Sequence, residues 1–197
     1  MRLLRRCLRS RAQTADIDEK AIRHTEPERL VMALAHAKAA AIRARLAAST
    51  PPAVTSPLPA LLITSDQVVV HRGAILEKPE SADEARRFIR GYSQDCARTV
   101  GAIVVTHLTT GVVAEGLDSA AVFFGTIPEA TIDALIAQGD VYYCAGGLMV
   151  ESPLVAPHVA RLEGGMDSIM GLGKALTARL LLEAAGGSAA GVSRSER

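Results

Sequence analysis

Tryptophan is absent from this 197-residue chain, and three Phe and three Tyr are its only aromatic residues. A core without rings must be aliphatic, and the 49% hydrophobic content is enough for one substantial domain. There is no excess of one charge: 22 basic residues face 21 acidic ones, for a net +1. With so few aromatics to stack bases, that balance argues against a general surface for a nucleic-acid polymer. Cysteine occurs only as Cys7, Cys96 and Cys144, an odd number at wide spacing. No C-x-x-C or H-x-x-x-H pair exists, so neither a disulfide framework nor a zinc site is indicated. A reducing compartment fits this usage, and the cytoplasm is the expected location. No apolar run approaches the ~18 residues of a membrane span, so no membrane partner is expected.

What is present begins with MRLLRRCLRSRAQT, five arginines without an acid. Residues 1–14 read as a basic segment, poorly ordered or a truncated first helix. Its composition also resembles a transit peptide, which keeps organelle import as a minority alternative. The next acids, Asp16, Asp18 and Glu19, read either as a solvated loop or as a source of metal-binding carboxylate.

Residues 25–46 carry a Thr25-x-x-Glu28 capping box, with Pro27 in the first turn. Val31, Leu34, Lys38 and Ile42 then recur at helical spacing on one face. Lys38 in that stripe has two readings: a stem packed on the core with its ammonium in water, or a cation aimed into a cleft. The Pro/Ser/Thr-rich stretch 48–60 reads as a surface connection.

The most informative stretch is LLITSDQVVVHRGAILEKP, residues 61–79. Asp66 interrupts an apolar strand, where an unpaired carboxylate is costly, so it should be paired, metal-bound or used. Alternation places Thr64, Asp66 and Val68 on one face. Arg72-Gly73 supplies a short turn, and Lys78 and Pro79 end the returning arm. Ser81 and Glu84 form a second capping box for a helix to about Ile89. Residues 99–106 and 112–124 read as a hairpin joined by THLTTG. Pro128-Glu129 opens a helix that Gly139 ends. In VYYCAGGLMVESP the Gly-Gly pair suggests close approach of backbone to a ligand. A loop feeds a final helix within 165–185, and 186–197 reads as a disordered tail. Intermixed strands and helices give the class α/β. GLGKAL at 171–176 is not a phosphate loop, because Ser168 and Ala175 stand where the Walker pattern needs Gly and Ser/Thr. The histidines do not cluster, and no nucleophile elbow supports a hydrolase triad.

In this order, TADIDEKAIR, LAHAKA, ITSDQVVV, EKP, EARRFIRGYS, AGGLMVE and DSIMGLGKAL resemble the Maf family over about residues 14–185. The branch they resemble most is the eukaryotic, plant-type one. The resemblance implies a mixed β-sheet with flanking helices, like that of the inosine-triphosphate pyrophosphatases, in a domain spanning 15–185. It implies hydrolysis of a nucleoside triphosphate between the α- and β-phosphates with Mg²⁺ or Mn²⁺, and a possible homodimer. By the same resemblance Asp66 is the general base and a metal ligand, and Glu19 the second metal carboxylate. Lys38 and Lys78 contact phosphate. Ser65-Asp66-Gln67 and Glu151 match the branch that prefers 7-methyl-GTP over dTTP and UTP. Two departures stand out. The family's opening strand and S-x-S-P-R-R-like loop have no counterpart in residues 1–14. Gly173 replaces a usual proline, which suggests a softer helix start. The first departure keeps a second reading open: a catalytically impaired nucleotide-binding or regulatory Maf-like protein.

Overall fold

A computed structural model describes residues 11–48 and 60–186. Most of the basic segment, the Pro-rich connection and the expected tail therefore lie outside the described residues. Helix α1 spans Pro27–Ala48. Its first backbone bond runs from the Leu30 N–H to the Glu26 carbonyl, so Glu26, not Thr25, is the capping position and Pro27 is the first helical residue. The expected Thr25 box is thus shifted by one residue.

Strand β1 (Leu61–His71) turns back into the short β2 (Ala74–Leu76). His71 pairs with Ala74, which leaves Arg72 and Gly73 as a two-residue loop. Both have positive φ, 48° and 80°, the combination that matches a primed hairpin turn to strand twist. Helix α2 runs Ala82–Tyr92, three residues beyond the expected end. The Ser81 hydroxyl accepts from the Glu84 N–H at 3.2 Å, while the Glu84 carboxylate reaches back to the Glu80 N–H at 3.0 Å. Strands β3 (Cys96–His107) and β4 (Val113–Phe124) form the expected hairpin. Helix α3 (Glu129–Gln138) ends at Gly139, with φ 85°. Strand β5 (Val159–Glu163), the short α4 (Met166–Ile169) and α5 (Lys174–Ala184) complete the described chain. The sheet order is β2-β1-β3-β4-β5, and each of these pairings is antiparallel.

The central strand β3 explains the layering. Its residues Val100, Ala102 and Val104 pack with Val68 under Leu30, Val31 and Leu34 of α1. Ile103 and Val105 point the other way, onto Leu180 and Ala184 of α5. On that second face Val69 and Val122 also join Phe88 and Tyr92 of α2 and Ile132 and Leu135 of α3. Each fully buried aliphatic side chain contributes on the order of 1.5–3 kcal/mol, so aliphatic burial on both faces substitutes for a ring-rich core. The sheet between helical layers is the α/β arrangement expected from the sequence.

Two local expectations need correction. Gly146 and Gly147 are buried and have φ 60° and 61°. A Cβ on Gly146 would lie 2.4 Å from the Tyr92 hydroxyl and 2.9 Å from Val69 Cβ. The core, not a ligand, demands that glycine. The start of α5 is not soft either: the Asp167 carboxylate accepts from the Lys174 N–H at 2.6 Å, so a residue seven positions back holds the helix N-terminus.

Candidate active site

The alternation of β1 sends Thr64, Asp66 and Val68 toward α1. The Thr64 hydroxyl donates to the Ala35 carbonyl at 2.9 Å, which docks the strand on the helix one turn before Lys38. The Lys38 ammonium then donates to Asp66 Oδ1 at 2.5 Å and lies 2.8 Å from Glu19 Oε1. Three residues distant in sequence meet at one point. Their order follows from the fold: the turn Glu19–Ala21 precedes α1, and Asp66 lies under that helix.

The Lys38 and Asp66 side chains keep only 18% and 10% of their exposure. Burial alone opposes the Lys38 charge, but hydrogen bonds and charges from Asp66 and Glu19 outweigh it and hold the ammonium above the ordinary lysine value. Burial also pushes the Asp66 carboxyl above the usual aspartate value, against the pull of Lys38. Lys38 has two carboxylates holding its charge, whereas Asp66 has burial and the like charge of Glu19 set against the one ammonium it contacts. The upward direction at Asp66 is the chemically relevant one, because it makes a more basic carboxylate.

Glu19, Lys38, Asp66, Gln67 and Lys78 line one cavity of about 590 Å³. Lys78 follows β2, where the Gly146 N–H bonds the Glu77 carbonyl at 2.8 Å and fixes the segment. A second cavity, of about 360 Å³, shares Asp66, Gln67 and Lys78 with the first and adds Ser65 and Glu151. Gln67 faces away from α1, and its amide donates to the Ser168 carbonyl at 2.7 Å. Asp66 and Gln67, adjacent on β1, each border both lobes. Glu19 and Lys38 belong to the first lobe and Glu151 to the second.

Several lining residues escape sequence reasoning. Lys20 and Arg23 border the first lobe, paired with Glu80 and Glu77. Their signal was proximity to Glu19 and Lys78 in DEKAIR and EKPE. Thr99, Tyr143 and Met170 line the second lobe, and nothing in their local sequence marks them. Another cavity, of about 460 Å³, is lined by Arg72, Arg86, Arg87 and Arg90. Those arginines already pair with Asp95, Asp133, Glu84 and Glu129, so it offers no free cation cluster.

The carboxylates of Glu19 and Asp66 beside the ammonium groups of Lys38 and Lys78 on one cleft suit a metal-bound polyphosphate. The sequence model of the family described as "Maf-like protein" matches residues 1–184. The chain belongs to the Maf-like protein family. It is 40% identical over 171 residues to a protein of Dictyostelium discoideum named 7-methyl-GTP pyrophosphatase, covering 87% of this chain and 84% of that one. It is 32% identical over 170 residues to a nucleoside triphosphate pyrophosphatase of Synechococcus sp. (strain WH7803), covering 84% of each. A dTTP/UTP pyrophosphatase of Salinibacter ruber is 28% identical over 164 residues, covering 83% of this chain and 80% of that protein.

Proposed function

We propose that this protein hydrolyses a nucleoside triphosphate to the monophosphate and pyrophosphate, with 7-methyl-GTP as its preferred substrate. The observation that carries the reading is the meeting of Glu19, Lys38 and Asp66 in a cleft shared with Lys78, whose Asp66, Gln67 and Lys78 also line the Glu151 cavity. Membership of the family and the names of its relatives support the reaction. The 40% identity to a 7-methyl-GTP pyrophosphatase supports the base.

In this reading the triphosphate occupies the larger lobe and the base the smaller one. Asp66 and Lys78, common to both lobes, then stand where the α-phosphate joins the chain of phosphates. Asp66 accepts a proton from water as the water oxygen bonds to the α-phosphorus. The bond from that phosphorus to the bridging oxygen breaks, and its electron pair leaves with pyrophosphate. Lys38 and Lys78 stabilise the charge that develops there. Glu151 accepts N–H groups from the guanine edge, and its charge complements a methylated, cationic base.

Asp66 and Glu19 both contact the same ammonium, so their carboxylates lie close enough to share a divalent cation. No group of three or more His, Cys, Asp or Glu that could hold a metal occurs among the described residues. Two carboxylates without a third protein ligand fit Mg²⁺ or Mn²⁺, which take their remaining ligands from phosphate and water. When bound, that cation neutralises phosphate charge.

Cytoplasmic location and a homodimer belong to the same proposal. Among the described residues no helix is long and apolar enough to cross a membrane. The test is pyrophosphate release from 7-methyl-GTP, GTP, dTTP and UTP with Mg²⁺ or Mn²⁺, read through added inorganic pyrophosphatase, beside calorimetric binding. Asp66→Asn is expected to lower turnover roughly 100-fold or more. Unchanged release in that variant would remove Asp66 as the base. Nucleotide binding without release by the wild type would favour the regulatory reading.

A further inference from the structure

The two most exposed large hydrophobic side chains among the described residues are Tyr143 at 78% and Met170 at 63%. They come from elements far apart in sequence: Tyr143 ends the turn Asp140–Tyr143, and Met170 follows α4. Both nevertheless line the same 360 Å³ cavity, the one that holds Gln67 and Glu151. Scattered exposed apolar residues need no explanation, but two lining one cavity beside a carboxylate do. Aromatic residues are scarce, and Tyr92, Phe88 and Phe124 are committed to the core. Among the residues lining this cavity Tyr143 is the one aromatic.

We infer that Tyr143 and Met170 form a stacking clamp for the substrate base, and that Tyr143 selects a positively charged purine over a neutral one. The inference rests on the proposed reading of the cleft and deepens it. Methylation at N7 places a positive charge on the guanine ring system. A flat cation is attracted to the negative face of a phenol ring, whereas a neutral base gains only dispersion and area. Met170 offers a soft, polarizable surface that adapts to the ring. Glu151 adds a negative charge at the same cavity, so both features favour one kind of base. The triphosphate contacts at Lys38 and Lys78 are common to every nucleotide, which leaves discrimination to this lobe.

The test compares wild type, Tyr143→Leu and Tyr143→Phe. Leucine keeps apolar area without a ring, and phenylalanine keeps the ring without the hydroxyl. Tyr143 is largely exposed, so neither change threatens the fold. The readout is the ratio of kcat/KM for 7-methyl-GTP to that for GTP, with calorimetric binding of 7-methyl-GMP and GMP as a measure independent of turnover. Tyr143→Leu is expected to lower both ratios about fivefold to tenfold, the scale of a cation–π contact, mainly through KM. Tyr143→Phe is expected to keep them, and Met170→Ala to weaken binding of both nucleotides. Equal ratios in wild type and Tyr143→Leu, with hydrolysis or binding intact, would overturn the clamp and leave the proposed reaction standing. Absence of both binding and hydrolysis in the wild type would overturn the reading of the cleft and the clamp together.

Discussion

Replacing Lys38 by methionine isolates the contact at the centre of the cleft. Methionine keeps the apolar stem along α1 and removes the charge. Asp66, 10% exposed at its side chain, then loses its hydrogen-bond donor and keeps Glu19 as a like-charged neighbour. Breaking a fully buried pair costs about 3–5 kcal/mol. This pair borders an open cavity of about 590 Å³ that admits water. A smaller loss of about 1–3 kcal/mol is therefore expected, or roughly 2–12 °C in Tm for a chain of this size. The pH dependence carries a definite sign. Lys38 lowers the Asp66 value, so its removal drives that carboxyl further above the unfolded value. The folded state then holds a proton that the unfolded chain has released, and stability falls as pH rises between the two values. Urea unfolding with EDTA present, at acid and at mildly alkaline pH, reads this directly. The loss should shrink at acid pH, and adding Asp66→Asn should recover most of it. A loss that is independent of pH and untouched by Asp66→Asn would refute the claimed coupling.

Gly146→Ala should destabilise by about 2–4 kcal/mol in the same unfolding assay. Its φ is positive and the new methyl would meet the Tyr92 hydroxyl and Val69. Asp167, held below the usual aspartate range chiefly by the Lys174 backbone N–H, supports α5 above the unfolded value; that support is lost as pH falls through the folded one. Asp167→Ala should therefore unfold more easily than wild type at neutral pH, with the difference closing on acidification. Glu151→Gln should lower the preference for 7-methyl-GTP over GTP several-fold in steady-state kinetics, since an amide cannot complement a cationic base.

Features set by neighbours in the chain were legible beforehand. The Arg72-Gly73 turn, the Ser81 cap and the Gly139 stop each depend on a few adjacent residues, and the shared face of Thr64, Asp66 and Val68 follows from strand alternation. The resemblance to the family picked out Glu19, Lys38, Asp66 and Lys78, which border one cavity. Contacts across the fold were not legible. Gly146 reads as a ligand-facing glycine until Tyr92, 54 residues earlier, occupies the space beside it. Tyr143 and Met170 look like ordinary surface residues until two loops bring them to one cavity. Thr25 loses its cap to Glu26 because Pro27 is the first helical residue, a signal the Thr-x-x-Glu spacing masks.

The most direct measurement is a crystal structure with the α,β-imido analogue of 7-methyl-GTP and Mn²⁺, using anomalous scattering to find the metal. The phosphates are expected between Lys38 and Lys78, the manganese on Asp66 and Glu19, and the base against Tyr143 beside Glu151. A nucleotide bound outside this cleft, or one whose phosphates touch neither lysine, would contradict the assignment.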